Sequence, residues 1–278
     1  MKKYINIVSI VTFILLISSC SEEITKEISA ENEAIEEISK ITNDFLASQE
    51  GKIPSSNSKA FDPNDYIPDI EAGLEDYMEN GDVGQAVSVG IAASQKATSG
   101  HVCPANGNGG NSIANVINTA NPLDYAGRYH AEVLEEALIM HRNQIYPNGV
   151  FNFTNSINYT HNYLASNNMY INSTNAMTES EFNVFYANMI TLLQNNNYKM
   201  SKVVRIHENE GRMSSTERQI LEMYFLAQES SNTLNGYIQY SIQTENSVQN
   251  SNLSSDSKDL LLFTMATARH DINFWNPY

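Results

Sequence analysis

The chain has 278 residues, 41% of them hydrophobic, and a net charge of −16, or −18 once the two lysines of residues 1–19 are removed. So acidic a surface repels phosphate backbones and anionic headgroups, which excludes nucleic-acid binding and docking on membranes through a basic patch. The length supports one good-sized hydrophobic core, and two cysteines, Cys20 and Cys103, are too few for a disulfide framework.

Lys2 and Lys3 precede an uncharged, largely apolar run of 13 residues, Ile5 to Ile17. A bilayer core of about 30 Å needs about 20 helical residues, so the run reads as a signal-peptide core rather than a span. It ends in Ile17-Ser18-Ser19-Cys20, which resembles the lipobox of bacterial lipoproteins. The resemblance implies that residues 1–19 are a cleaved signal and that Cys20 becomes a lipid-bearing N-terminus, since two or three acyl chains anchor lastingly where one is reversible. Cys103 is then left without an intrachain partner. Ser21-Glu22-Glu23, followed by Glu27, Glu31, Glu33, Glu36 and Glu37, resembles the surface-export signal of lipoproteins of the Bacteroidota. That implies a lipid-anchored outer-membrane protein on the cell surface, with the periplasmic face as the alternative, and contact with the membrane through the anchor only. Composition alone also explains these acids as a solvated tether.

Residues 20–68 read as an acidic tether and linker, ending in a stretch that holds Pro54, Pro63 and Pro68, and residues 69–278 as a helical domain. Asp69 to Asn80 has Ile70, Leu74 and Tyr77 at helical spacing and is closed by Gly81. Asp82 can cap a second helix, with Gln85 placed to return the backbone bond. On that helix Ala86, Gly90, Ala93 and Ala97 make one side nearly flat, which suits close helix packing; the same pattern occurs in membrane-active peptides, but this stretch is too short to span. Residues 101–112 hold His101, Cys103, Pro104 and clustered Asn and Gly, which spell an irregular loop without the lysine of a phosphate-binding loop.

Asn121-Pro122, with Asp124 in the first turn, opens the clearest helix. It is expected to run to Gln144 or Ile145 and stop at Pro147-Asn148-Gly149, with Leu123, Gly127, His130, Leu134, Ala137 or Leu138, and His141 along its inward stripe. His130 and His141 are eleven residues apart, about 16 Å along a helix and too far for one metal ion. Capping boxes open helices at Thr178–Glu181, with the stripe Phe182, Phe185, Tyr186, Met189 and Leu193, and at Ser214–Glu217, where Asn235-Gly236 can divide the following run. A helix from about Ser257 lays Leu261, Met265, Ala268, Ile272 and Trp275 on one stripe, which predicts docking in the core. The Asn-rich stretches 147–177 and 195–212 read as loops with short helices. The fold class expected is mostly α, an irregular multi-helix bundle with Asn-rich loops and at most a small β-hairpin.

Two blocks, Asn121-Pro122-Leu123-Asp124-Tyr125-Ala126-Gly127-Arg128-Tyr129-His130 and Ala266-Thr267-Ala268-Arg269-His270-Asp271-Ile272-Asn273-Phe274-Trp275, resemble parts of a group of uncharacterised lipoproteins of the Bacteroidota. In that group an Asn-Pro-initiated helix carries Gly-x-x-His-Asn, and a small-residue helix with an aromatic pair follows late in the chain. Here Ala131 stands where the group tends to have asparagine. The resemblance implies the class and no activity.

The ionisable candidates for chemistry are His130, Glu132, Glu135, Glu136 and His141 on one helix, His161, His207-Glu208-Asn209-Glu210, and His270-Asp271. None has the spacing of a zinc-protease helix, and there is no Gly-x-Ser-x-Gly elbow. His130, His141, His270 and Asp271 are the catalytic candidates that survive, each with the plainer reading of a satisfied core residue. No metal site and no cofactor is expected from spacing. The reading is a surface binding or accessory module, with a protein or glycan ligand unspecified; the alternatives are a hydrolase or metal-dependent enzyme built on His130, His270 and nearby carboxylates, and a secreted antagonist whose small-residue helix enters a membrane.

Overall fold

The computed structural model describes residues 29–50, 63–98, 116–169, 171 and 176–275. They form eleven α-helices and no strand, so the mostly α bundle expected from periodicity is the fold. The helices are α1 (29–49), α2 (Pro63–Asn80), α3 (Val83–Ala97), α4 (Asp124–Ile139), α5 (Arg142–Ile145), α6 (Phe153–Ser166), α7 (Glu179–Asn195), α8 (Met200–Asn209), α9 (Ser215–Glu229), α10 (Leu234–Asn250) and α11 (Ser255–Trp275), with a 3₁₀ turn at Pro147–Gly149.

Two helices lie inside the others. α3 is buried from Gly84 through Gln95 and α11 from Leu260 through Asn273, on every side of each. A helix buried all round has no solvent face to carry charge, and this accounts for the flat small-residue surface of α3. That surface seats the helix against α2, α4 and α6. α11 is packed by α2, α4, α9 and α10. α4 lies tight on α11, where a Cβ on Gly127 would stand 2.4 Å from the Ala266 carbonyl oxygen; only glycine fits there. Gly81, at φ 65°, takes the left-handed turn that closes α2 and lets Asp82 begin α3, its carboxylate accepting from the Gln85 N–H. Gln85 does not return the bond; its side chain hydrogen-bonds Asp76 instead.

The expected boundary at residue 69 is wrong. Pro63 starts α2, where a missing N–H costs nothing, and Pro68 lies within the helix. Tyr66, Ile67 and Ile70 are buried around it, and that apolar burial outweighs the lost backbone bond. Residues 29–49 are also no free tether. Ala34 and Ile38 of α1 are buried in the main core, Thr42 shares a hydroxyl bond of 2.9 Å with Tyr240, and Phe45 packs on the same ring at 4.7 Å. The acidic residues of this segment follow the outer face, whereas the residues spaced three and four apart face α9 and α10.

The clearest expected helix starts and stops early. α4 begins at Asp124 because Asn121 uses its side chain elsewhere: Oδ1 accepts from Leu123 N, and Nδ2 donates to Glu245 and to the Leu262 carbonyl. It ends at Ile139, since burial of Ile145 and Tyr146 against Ala137 and Leu138 requires the chain to fold back. Both capping boxes form as expected. The division before α10 falls at residues 230–233, with Thr233 capping the new helix, and Asn235-Gly236 lies inside its first turn. The Asn-rich stretches supply α6 and α8, two full helices rather than loops.

If α1 belongs to the core, Ile38→Ala should lower stability by about 2–4 kcal/mol. Lys40→Ala, on the exposed side, should stay within about 0.5 kcal/mol of the parent. Urea midpoints of the two variants decide between a docked helix and a tether.

Candidate functional site

α4 meets α11 along a seam of charged and polar side chains. Asn121, Asp124, Gly127 and His130 all meet α11, which presents Arg269, His270 and Asp271 in succession. Gly127 brings the two backbones together; a Cβ there would also stand 2.9 Å from the His270 ring.

Arg269 is wholly buried. Its guanidinium forks onto Glu245 of α10, Nε to Oε1 at 2.7 Å and Nη2 to Oε2 at 2.8 Å, and Nη2 also reaches Asp124 at 2.6 Å. Nη1 donates to the Val116 carbonyl. Glu245 is completed by the side-chain amides of Asn118 and Asn121 and by the Ser241 hydroxyl. From Ser241 the chain of hydroxyls continues to Tyr224 and Tyr237. A bidentate Arg–carboxylate pair is the strongest ion pair available to side chains, and it survives burial only when the remaining lone pairs are met, as they are here. Burial raises the pKa of Asp124, but the His270 hydrogen bond and the Arg269 charge outweigh it and hold the carboxyl below the usual range. Burial lowers that of His270, which faces Asp124 at 3.2 Å from Nε2 with Arg269 beside it.

One residue further along α11 the chemistry changes. Asp271 receives His130 Nδ1 at 2.6 Å on Oδ1, and Asp69 of α2 completes a group of three, all at 0% exposure. Burial, reinforced by the negative charge of Asp271, raises the pKa of Asp69 well above the ordinary value, and burial alone does the same to Asp271. Burial depresses His130 to about 4, so its ring is neutral at pH 7. Unlike the Arg269 network, this group leaves acceptors unmet: Asp69 Oδ2, His130 Nε2 and Asp271 Oδ2 have no hydrogen-bond partner.

A third buried pair, His207 Nε2 with Glu71 Oε1 at 2.8 Å, lies between α8 and α2. Burial opposes the charge on His207, yet Glu71 prevails and the imidazole pKa is raised. Arg212 and Glu75, at 2.6 Å, lie at the edge of the same contact.

Of the residues singled out in sequence, His130, His270 and Asp271 converge on this seam, but His130 and His270 do not act as a pair. His130 belongs with Asp271 and Asp69, and His270 is taken by Asp124. His141 stays out of the core: it precedes α5, half-buried against the Tyr159 ring at 4.9 Å. Glu135 is exposed as expected, whereas Glu132 and Glu136 are half-buried acceptors of the Tyr163 and Tyr159 hydroxyls. Cys20, Ser21, Glu22, Glu23, His101 and Cys103 lie outside the described residues. Sequence reasoning missed Asp69, Glu245 and Arg269. Their signal was charge inside otherwise apolar helical surroundings, most plainly Arg269 between Met265 and Ile272. Asp69, His130 and Asp271, all metal-ligand residue types, are drawn together from three helices, a grouping that spacing along the sequence did not show.

No protein family, curated protein or solved structure matches the chain.

Replacing Arg269 leaves Glu245 and Asp124 buried without their counter-charge. Arg269→Met should therefore destabilise the protein by about 3–5 kcal/mol in urea titration. The double variant Arg269→Met/Glu245→Leu should recover part of that loss, because it removes the orphaned charge.

Proposed function

We propose that the protein is an exported lipoprotein, anchored through Cys20 in the outer membrane and displayed on the cell surface, and that its helical body is a binding module for a glycan. The lipobox resemblance and the Ser21-Glu22-Glu23 signal support the address. Eight residues, 21–28, separate Cys20 from the described start of α1, a reach of at most about 30 Å, so the module rides close to its membrane.

The cleft beside the α2–α3 turn carries the binding reading. It has a volume of about 460 Å³ and is lined by Gly81, Asp82, Val83, Gly84, Tyr125, Tyr129, Asn167, Asn168 and Met169. Tyr125 and Tyr129 stand 6.2 Å apart, and Tyr129 meets the edge of Tyr163 at 6.4 Å. Tyrosine faces suit the C–H side of a sugar ring, and planar amide and carboxylate groups suit its neighbouring hydroxyls. A concave site that mixes apolar faces with a few fixed polar groups is the usual form of a small-ligand pocket. The net charge of −16 directs the choice toward a neutral ligand rather than a phosphorylated one.

An enzyme built on His130 or His270 gains a specific observation, their convergence on one seam, but both are sealed between helices at 0% and 3% exposure. Substrate would have to part α4 from α11. Entry of α3 into a membrane would likewise empty the centre of the bundle, and no helix among the described residues is long and apolar enough to cross a bilayer.

Cys20→Ala should abolish incorporation of a fatty-acid probe in growing cells; label retained on that variant sinks the anchor. Against a panel of neutral oligosaccharides the parent should bind at least one, and Tyr129→Ala should weaken it about tenfold or more with an unchanged melting curve. Binding that survives Tyr129→Ala and Tyr125→Ala together would move the ligand away from this cleft.

A further inference from the structure

We infer that Asp69, His130 and Asp271 form an interior site for one divalent transition-metal ion of the zinc class. One donor atom of each residue lies within 4.8 Å of the others. Donors on a common tetrahedral zinc ion, each at about 2.0–2.2 Å, are about 3.3–3.6 Å apart, so separations of up to 4.8 Å must shorten by about 1.2–1.5 Å to close the shell. The three residues come from α2, α4 and α11, and each still has a side-chain atom with no partner: Asp69 Oδ2, His130 Nε2 and Asp271 Oδ2. Fully buried acceptors are almost always satisfied in proteins, and three left over in one place call for a shared donor or a cation. A dication balances two carboxylates on which no lysine or arginine of the described residues acts: Arg269, two residues before Asp271 on α11, is already divided between Glu245 and Asp124.

The donor set selects the ion. Two carboxylates and one imidazole, with no thiolate, suit zinc and its neighbours rather than soft copper(I), and three side chains are too few for the six to eight oxygens that calcium takes. The Ser94 hydroxyl, which sits against Asp69, offers a further oxygen. α3 leaves the imidazole room, since a Cβ on Gly90 would approach His130 Nε2 to 3.1 Å. With every ligand buried, the ion enters as the helices assemble, and binding is coupled to folding. This site stands apart from the glycan cleft, and neither reading depends on the other.

The test is equilibrium dialysis of the full chain in detergent against Zn²⁺ after chelator treatment, with zinc counted by mass spectrometry. One tightly held zinc per chain is expected, together with a rise in melting temperature on loading. The near-isosteric Asp69→Asn and Asp271→Asn should each weaken binding about tenfold or more, whereas His141→Ala should leave it unchanged. X-ray absorption of the zinc-loaded parent should show an oxygen-rich shell with a single imidazole, a readout that holds even where a variant fails to fold. No retained zinc in the parent, a sulfur scatterer, two or more imidazoles, or full binding by a folded Asp271→Asn would each overturn the assignment, leaving a hydrogen-bonded dyad alone.

Discussion

The buried guanidinium of Arg269 constrains the architecture more than any other group. Held between Glu245 of α10 and Asp124 of α4, it fixes the position of α11 against both, and the side-chain amides of Asn118 and Asn121 close the remaining valences of Glu245. Apolar contacts tolerate small slides of one helix along another; a forked ion pair in a low-dielectric interior does not. Once α11 is fixed in rotation, His270 and Asp271 have no choice of neighbour. Asp271 is placed opposite His130 because Arg269, two residues before it on the helix, is placed opposite Glu245.

Much of this was legible in the sequence, though not for the reasons that make it work. Periodicity and capping residues marked α2, α4, α7, α9 and α11, and both capping boxes sit where Thr178 and Ser214 place them. The spacing of Asn121, Asp124, Gly127 and His130 was visible as a motif, and the partner block at Arg269–Asp271 was visible as another. What spacing along one strand of text does not reveal is that two motifs 141 residues apart are the two sides of one interface. Asp69 is harder still to read, since the prolines before it place it at the edge of the domain. Prolines at 63 and 68 read as a linker because their local cost is evident, while the burial of Tyr66, Ile67 and Ile70 that offsets it depends on helices far away in sequence. The acidic content of α1 misled in the same way: exposed glutamates dominate its composition, and two buried positions, Ala34 and Ile38, decide its place.

The two buried histidine sites on α2 illustrate how environment divides one residue type. His207 gains a carboxylate that prevails over burial and raises its pKa, while burial drives His130 toward the neutral form despite the neighbouring Asp69. Neutral imidazole is the form that ligates metals. Charged imidazole is the form that holds an ion pair. α2 carries the acid for each, Glu71 for the first and Asp69 for the second, only two residues apart but directed to different neighbours.

The order of these elements along the chain has a consequence for biogenesis. Asp124 and Glu245 both precede Arg269, so a polypeptide emerging from its N-terminus presents these two buried acids before the cation that pairs with them. Helices α4 and α10 cannot close on unpaired carboxylates without a large desolvation cost. The body therefore stays loose until α11 arrives. Its arrival supplies the charge, the apolar stripe and the remaining ligand together, which makes completion of the fold a single late event rather than a gradual one.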